Sequence, residues 1–342
     1  MIKYASLLAA TLAGAMMAAS TVVNAGSVFE RVKDKGFVKC GVSTGLAGFS
    51  TPDDKGNWTG LDVDVCRAVA AAVFGDAGKV EYIPLTAKER FTALQSGEID
   101  MLSRNTTWTL TRDSNLGIGF AGVNYYDGQG FMVSKSLGIQ SAKELSGATV
   151  CIQAGTTTEL NLADYFRANG MTYTPVTYST SDQTIEGFKT NRCDVLTSDQ
   201  SQLYALRLKL ADPNSAAVLP EIISKEPLGP VVPNGDDEWL KIVRWALFAM
   251  INAEEMGISS ANVDSVKATT KDPGKQRLLG LSGIGGKGLG VSNAWAYNII
   301  KQVGNYGESF KRNVGADSPL NIARGVNALW NNGGIQYAPP IR

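Results

Sequence analysis

The sequence predicts an α/β protein built from two lobes of similar plan. From residue 38 to residue 210, short apolar runs alternate with helix-like segments, which is typical of parallel sheets with helices on both faces. A weak internal sequence similarity supports two such units. Leu94 lies five residues before the run at 99–103, and Phe188 lies five residues before the similar run at 193–197.

The first unit opens with a short apolar strand at residues 38–42. Residues 61–74 are predicted as a helix because Asp62 and Asp64 fall in the first turn, where acids favour the helix dipole, and Gly75 follows as a stop. The alternation continues with a strand at 80–83, a helix at 88–95 and a strand at 99–103.

The second unit contains two Ser/Thr-x-x-Glu sequences, which have the spacing of a helix capping box. One pairs Ser141 with Glu144 ahead of the predicted strand at 148–153. The other pairs Thr156 with Glu159 just after that strand, so a helix is expected to begin there. A helix at 182–190 and a strand at 193–197 complete the unit.

Two stretches that contain Gly or Pro, residues 126–131 and 227–233, are the predicted boundaries and suit hinges. Residues 238–254 then form a predicted amphipathic helix, on which the chain crosses back, so that the first lobe is built from both ends. The predicted division is a first lobe of residues 26–127 and 232–342 and a second lobe of residues 128–231.

The tail, from about Gly257 to Arg342, carries predicted helices near 293–305 and 320–331, and the sequence assigns it no function. It contains a G-x-G-x-x-G pattern between Gly283 and Gly288. That pattern binds a dinucleotide only within a strand–helix–strand unit, which is lacking here, so no cofactor is expected.

The first 25 residues have the composition of a secretory signal peptide. Lys3 is their only charge, an apolar and small-residue core follows, and Val-Asn-Ala stands before Gly26. Cleavage is therefore expected after Ala25, with export to the periplasm of a Gram-negative-type cell. The alternative is a membrane anchor; no Cys follows the segment, so no lipid anchor is expected either.

The composition excludes several classes of function. The 342 residues include 32 Lys or Arg, 32 Asp or Glu and no His. Without His there is no Ser-His-Asp triad, no haem on a His and none of the commonest metal sites, so we expect neither a metal nor catalysis. The even charge balance offers no basic surface for nucleic acid or for an anionic membrane.

The four cysteines, Cys40, Cys66, Cys151 and Cys193, are interpreted in the light of export to an oxidising compartment. Their spacing fits no zinc ribbon and does not choose among the three possible connectivities. Their placement on nearby predicted elements favours Cys40–Cys66 and Cys151–Cys193, one bridge in each lobe. The alternative is four buried, unreactive thiols.

Polar side chains follow the predicted strands, at the edge of the sheets where α/β proteins bind ligands. Arg104, Asn105, Thr107 and Arg112 follow the strand at 99–103. Thr156 and Thr157 follow the strand at 148–153, at a helix start whose free N–H groups attract an anion, and Asp199 follows the strand at 193–197. Cations and free N–H groups bind a carboxylate, and an acid binds an ammonium. Together these residues therefore predict a clamp for a zwitterion.

These residues resemble a known family, the family 3 extracellular solute-binding proteins, which are periplasmic receptors of amino-acid ABC importers. The similarity covers residues 38–254, and the tail resembles that of the general L-amino-acid-binding members. The segments that carry it are GLDVDV at 60–65, ALQSGEID at 93–100, TLTR at 109–112, and residues 150–159 and 193–199. The resemblance implies a two-lobed type II periplasmic-binding-protein fold with the ligand cleft between lobes.

The resemblance also implies roles for individual residues. Arg112 corresponds to the arginine that grips the ligand's α-carboxylate through a two-pronged fork. Asp199 corresponds to the acid that receives the α-ammonium. Four further residues correspond to positions that assist carboxylate binding. Asn105 and Thr107 do so from the first lobe, and Thr156 and Thr157 do so from the second.

The sequence departs from the family where members specific for basic amino acids carry an acid and aromatic rings. Those positions are Ser43, Leu46 and Ala87 here, and Arg104 is the only evident charged partner for a ligand side chain. We therefore predict a tight grip on the amino-acid backbone with a permissive side-chain pocket.

The expected function is that of a monomeric periplasmic receptor that closes on an L-amino acid and docks transiently on an ABC permease. We expect it to have no membrane anchor and to bind no nucleic acid. Two alternatives remain: a periplasmic enzyme on the same scaffold, such as a dehydratase, and a sensor that reports to a chemoreceptor.

Overall fold

The computed structural model describes residues 27–342. The predicted signal peptide and its cleavage site lie outside the described residues. The chain passes through one sheet, crosses to a second and returns.

The first segment runs from the amino-terminal helix to a hinge strand. Its elements are α1 (Val28–Lys35), β1 (Val38–Ser43), β2 (Thr51–Pro52), β3 (Trp58–Thr59), α2 (Leu61–Phe74), β4 (Val80–Leu85), α3 (Arg90–Ser96), β5 (Met101–Leu102), α4 (Leu110–Asn115), β6 (Ile118–Phe120) and β7 (Tyr125–Asp127).

The second segment holds the strands of the other sheet and a second hinge strand. Its elements are β8 (Gln129–Ser134), 3₁₀ turns at Lys135–Leu137 and Ala142–Glu144, β9 (Thr149–Gln153), α5 (Thr157–Ala168), β10 (Thr174–Tyr178), α6 (Ser181–Lys189), β11 (Val195–Asp199), α7 (Gln200–Arg207), a 3₁₀ turn at Pro213–Ser215, β12 (Ala216–Val218) and β13 (Glu226–Leu228).

The third segment returns to the first sheet and then forms the tail. Its elements are β14 (Val231–Pro233), α8 (Asp237–Glu255), α9 (Val263–Thr269), α10 (Pro273–Leu278), a 3₁₀ turn at Gly285–Leu289, α11 (Trp295–Gln302), α12 (Tyr306–Asn313) and 3₁₀ turns at Gly325–Asn327 and Trp330–Asn332. None of the helices described is long and apolar enough to cross a bilayer.

The two five-stranded sheets have the same plan, which confirms the predicted α/β fold of two lobes. The first has the strand order β4-β1-β5-β14-β6, and the second has the order β10-β9-β11-β8-β12. In each, the first three strands are parallel, and the fourth runs antiparallel to both of its neighbours. An antiparallel ribbon of β7 and β13 joins the lobes, with Asp127 opposite Glu226.

Both predicted disulfides are present. Cys40–Cys66 joins β1 to α2 in the first lobe, with 6.2 Å between the Cα atoms. Cys151–Cys193 joins β9 to the residues just before β11, with 5.6 Å between the Cα atoms. Each bridge therefore lies within one lobe and leaves the lobes free to move relative to each other.

The tail packs into the core of the first lobe. Ile299 of α11 and Phe310 of α12 are buried in the same apolar cluster as the inner face of α8. The carboxylate of Asp64 on α2 anchors α12, since it accepts hydrogen bonds from Ser309, Arg312 and Asn313. The tail is thus an integral part of this lobe.

One predicted helix of the tail is wrong. Residues 320–331 form short 3₁₀ turns, because the backbone takes positive φ at Asn321 (46°) and Gly325 (49°) and the chain changes direction there. The tail instead contains α12, which the sequence analysis did not predict. It begins at a capping box between Asn305 and Glu308.

Candidate functional site

A small cavity lies between the lobes at the carboxyl ends of β5, β9 and β11. Contacts close it from both sides, since Thr107 Oγ1 lies 3.4 Å from Thr157 Oγ1, and Asn105 Nδ2 lies 3.3 Å from Gln202 Oε1. The residues that line it are Arg90, Arg104, Asn105 and Thr107 from the first lobe and Gln153, Thr156, Thr157, Thr158, Ser198, Asp199 and Gln202 from the second.

Asp199 ends β11 and begins α7, and its side chain is 6% exposed. Its Oδ1 atom is buried and has no hydrogen-bond partner among the described residues. Burial raises the pKa of this carboxyl well above its usual value, and the carboxylates of Asp127 and Glu226 raise it further. A cation that entered the cavity would therefore find a carboxylate with an unused acceptor.

Arg112 lies on α4, which is capped by Thr109, whose hydroxyl accepts a hydrogen bond from the Arg112 N–H. Its Nη1 donates to the Thr107 carbonyl at 2.9 Å, and its Cζ atom lies 5.2 Å from the centroid of the Phe91 ring. Burial lowers the pKa of Arg112, and Glu226 and Asp199 oppose that shift. The guanidinium is not among the groups that line the cavity in this closed arrangement.

The loop after β5 is organised by the buried carboxylate of Asp62. This carboxylate accepts hydrogen bonds from Ser103 Oγ, the Asn105 N–H and Asn124 Nδ2, at 3.2, 2.7 and 3.0 Å. Asn105 takes a positive φ of 35°, which turns the chain across the cleft. The two acids of α2 therefore organise different parts of the first lobe. Asp62 holds the loop at the cleft, and Asp64 holds α12 of the tail.

Arg104 lines the cavity and is fixed by a hydrogen bond from its Nε to the Leu85 carbonyl at 3.0 Å. Burial lowers its pKa to about 10, and the nearby carboxylate of Asp62 opposes the shift. Ser43, at the end of β1, is buried but does not line the cavity; its N–H donates to Ser50 Oγ at 3.0 Å.

Thr156 and Thr157 lie at the start of α5, but the predicted capping box is wrong. The Thr156 hydroxyl donates to the Gln153 carbonyl at 2.7 Å, so it does not cap the helix. Glu159 instead accepts from the N–H of Gly155. The Thr157 hydroxyl donates to Glu226 Oε2 at 2.9 Å, which links the site to the hinge.

Glu226 and Asp127 are a pair of acids on the hinge ribbon. Glu226 is 1% exposed and accepts hydrogen bonds from Thr157, Asn161 and Ser224. Asp127 accepts from Ser201 Oγ and from the Gly128 N–H. Removal from solvent raises the pKa of Asp127 to about 6. Both acids lie close enough to Asp199 to raise its pKa, so the hinge and the site share one electrostatic cluster.

Several residues of the site were missed by the sequence analysis. Arg90 is the most informative, because it is 2% exposed and begins α3, where a cation opposes the helix dipole. A cation at the first position of a helix is unfavourable, and this was the feature of the sequence that could have marked Arg90 as a site residue. The others are Gln153, Thr158 and Gln202 on the cavity wall and Glu226, which accepts a hydrogen bond from Thr157.

The geometry agrees with one protein family. The family model for bacterial extracellular solute-binding proteins, family 3, matches residues 38–260. The chain belongs to this family. Among residues 27–342, no group of three or more His, Cys, Asp or Glu side chains could hold a metal ion.

Relatives within family 3 are similar over almost the whole chain, tail included. A putative amino-acid ABC transporter-binding protein, YhdW of Escherichia coli, is 63% identical over 98% of this chain and 99% of its own. The general L-amino acid-binding periplasmic protein AapJ of Rhizobium johnstonii is 58% identical over the same shares.

A solved structure of a periplasmic binding protein from Brucella ovis, with glutathione bound, is similar in fold and sequence. It is 56% identical, has a TM-score of 0.91, and covers 92% of this chain and 99% of its own. The fold, including the tail, is therefore shared with this relative over almost the whole of its chain.

Proposed function

We propose that the protein is the periplasmic substrate-binding component of an ABC importer for L-amino acids, of broad specificity. One observation carries the proposal: the Oδ1 of Asp199 is buried with no hydrogen-bond partner among residues 27–342, and the buried guanidinium of Arg112, on the other lobe, lies close enough for the charge of Asp199 to raise its pKa. An amino-acid zwitterion supplies an ammonium for Asp199 and a carboxylate for Arg112.

In this proposal Arg112 grips the α-carboxylate and Asp199 receives the α-ammonium. Asn105 and Thr107 assist from the first lobe, and Thr156 and Thr157 assist from the second. Micromolar affinity requires ~8 kcal/mol, and charge-assisted hydrogen bonds contribute ~1.5–3 kcal/mol each before ordering costs are subtracted. Three or four such bonds supply about 5–12 kcal/mol before those costs, so contacts from both lobes to both charged groups of the ligand are needed together.

Binding is proposed to hold the lobes together, because the ligand contacts both. The lobes are residues 26–127 with 232–342 and residues 128–231, and the ribbon of β7 and β13 is the hinge. The contact between Thr157 and Glu226 supports a link between ligand and hinge. The exported monomer, cleaved after Ala25, would present the closed form to a permease.

A second candidate ligand is glutathione, because the Brucella ovis relative has it bound. The γ-glutamyl end of glutathione keeps a free α-amino group and a free α-carboxylate, so the same clamp suits it. The names of the relatives describe binding proteins of transporters, which favours transport over the dehydratase alternative.

The test is to identify what the purified protein binds. Ligand released by denaturation is analysed by mass spectrometry, and a panel of L-amino acids and glutathione is titrated by calorimetry. We expect an α-amino acid, recovered chemically unchanged after incubation. Release of a sugar or a metal complex, with no amino acid or glutathione bound in titration, would overturn the proposal.

A further inference from the structure

A second cavity lies on the first lobe, separate from the cavity between the lobes. Its volume is about 390 Å³, and none of the residues that line it lines the interlobe cavity. Three parts of the chain form most of it: α8, α10 with the glycine-rich loop at 282–289, and residues 340–342. A cavity of this size is large enough for a small organic molecule.

The walls of this tail cavity are mostly apolar. Trp245 of α8 and Trp295, the first residue of α11, contribute two indole rings. Leu289, Ile284 and Ile341 contribute aliphatic side chains. Ile284 is 69% exposed, whereas Trp295 is buried, so the apolar lining runs from the surface inwards. An apolar molecule in the cavity would remove part of this lining from water, which favours binding.

The charged groups of the tail cavity are unbalanced. Lys241 and Arg277 line it, no Asp or Glu side chain does, and neither cation forms an ion pair among residues 27–342. Arg342 also lines it, but the main-chain carboxylate of Arg342 offsets its guanidinium. The nearby Asp272 caps α10 by accepting hydrogen bonds from two N–H groups of the first turn. The cavity therefore has an excess of positive charge.

Arg277 is held in position with part of its guanidinium unused. Its Nε donates to the Ile341 carbonyl at 2.8 Å, and its two Nη groups have no hydrogen-bond partner in the described part of the chain. A guanidinium that is already oriented loses little side-chain entropy when it binds an anion. Its planar fork suits the two oxygens of a carboxylate.

The glycine-rich loop keeps the tail cavity open. Gly283, Gly285 and Gly288, which form the G-x-G-x-x-G pattern of the sequence, all line it. Gly283 and Gly285 take positive φ of 79° and 51°. A Cβ atom on Gly283 would lie 3.4 Å from Arg277 Cγ, and one on Gly285 would lie 2.6 Å from Asn293 Oδ1. Glycine therefore lets the loop turn tightly beside Arg277 without a side chain that fills the space.

We propose that the tail cavity is a second ligand site, for a small organic anion with an apolar body, such as an aryl or acyl carboxylate. The apolar body packs against Trp245 and Trp295, and Lys241 and Arg277 bind the carboxylate. A free amino acid fits poorly, because the cavity has no acidic side chain for its ammonium. The ligand class therefore differs from that of the cleft, and the inference does not depend on the proposed function.

The test compares phenylbutyrate with its neutral amide, phenylbutyramide, by titration calorimetry of the full chain saturated with L-glutamine. We expect the wild type to bind the carboxylate at least about 10-fold more tightly than the amide, the effect of one charge-assisted contact. Lys241→Gln and Arg277→Gln should each weaken carboxylate binding by about 10-fold and change amide binding by less than about threefold.

Lys271→Gln is the matched control, since Lys271 is an exposed cation just before α10 that does not line the cavity. It removes the same charge and should leave both affinities unchanged. Ile284→Asp adds an acid at an exposed position of the lining, where folding is not at risk. It should weaken phenylbutyrate binding by at least about 10-fold, because it repels the carboxylate.

Three results would overturn the site. They are no binding of phenylbutyrate at about 1 mM, equal affinity for the carboxylate and the amide, and a loss in Lys271→Gln equal to that in Lys241→Gln. The last would show a general attraction of anions to the surface. L-Glutamine binding, measured on the same variants, should not change, because the two cavities share no lining residue. Failure of the wild type to bind L-glutamine or any other amino acid would count against the proposed function and leave the phenylbutyrate comparison valid.

Discussion

The side chain of Asn327, in the tail, forms two hydrogen bonds with the backbone of Tyr126, in the hinge strand β7. The Tyr126 N–H donates to Asn327 Oδ1 at 2.7 Å, and Asn327 Nδ2 donates to the Tyr126 carbonyl at 3.0 Å. Across the ribbon, Tyr126 lies opposite Pro227, which has no N–H to donate. The backbone N–H and carbonyl of Tyr126 therefore point away from β13, to the free edge of the ribbon. There Asn327 makes the two hydrogen bonds that a third strand would otherwise make.

Replacing Asn327 with alanine should destabilise the protein by about 1–3 kcal/mol, because two hydrogen bonds to the hinge backbone are lost. Urea denaturation of the ligand-free protein measures the change in the free energy of unfolding. Asn331→Ala is the matched control, since Asn331 is exposed on the same stretch of the tail and should leave stability unchanged. Equal stability of the two variants would show that the tail does not brace the hinge.

Arg112→Ala and Asp199→Ala should each weaken amino-acid binding at least ~100-fold, because each removes one partner of a buried charge pair. Titration calorimetry with L-glutamine gives the dissociation constants. Arg167→Ala is the control, because Arg167 is largely exposed on α5 and forms an ion pair with the exposed Asp164. Unchanged affinity in either site variant would refute the zwitterion clamp.

Amino-acid binding should release protons and should tighten as the pH rises through the range in which the cluster of Asp199 and Asp127 ionises. Burial raises the pKa of Asp127 to about 6 and raises the pKa of Asp199 well above its usual value, so the cluster still holds protons where an exposed carboxyl is ionised. The ligand's ammonium favours ionised Asp199 and displaces a proton. No imidazole contributes, since the chain has no His.

Calorimetry in two buffers of different ionisation enthalpy measures the released protons. Asp199→Asn cannot ionise at this position and should release fewer protons for whatever binding remains. An affinity that is constant between about pH 5 and about pH 7, with no proton release, contradicts the prediction.

The sequence predicts correctly those helices and strands whose ends are marked by residues within or next to the element itself. The helix at 61–74 has the predicted bounds because Asp62, Asp64 and Gly75 mark its ends within the segment itself. The strand ends and the residues after them followed from the alternation of strand and helix, which put Asp199 and Thr107 on one cavity.

The rest depended on contacts distant in sequence. The segment at 320–331 is not a helix, because it must turn to bring Asn327 against Tyr126, 201 residues away. Glu226 belongs to the site only because the hinge ribbon places it beside Thr157. Arg90 is buried because α3 packs on β1, β5 and β14, and those contacts are not visible in the sequence of α3 itself.

Gly155, at the cleft edge of the second lobe, approaches the first lobe closely. A Cβ atom built on it would lie 2.9 Å from Lys88 Cγ, and its φ is +76°. Gly155→Ala should therefore obstruct closure and weaken L-glutamine binding by about 10-fold, the cost of a modest steric overlap. Ligand-free stability should also fall by about 1 kcal/mol from the left-handed backbone.

The matched control separates these two effects of the Gly155 substitution. Gly147 has a similar φ of +86°, but a Cβ there would meet nothing within 4 Å. Gly147→Ala should thus lose stability without losing affinity, because its strain is the same whether the lobes are apart or together. Titration calorimetry and thermal unfolding of both variants measure the two quantities. A loss of affinity in both variants, or in neither, would show that contact between Gly155 and Lys88 does not limit closure.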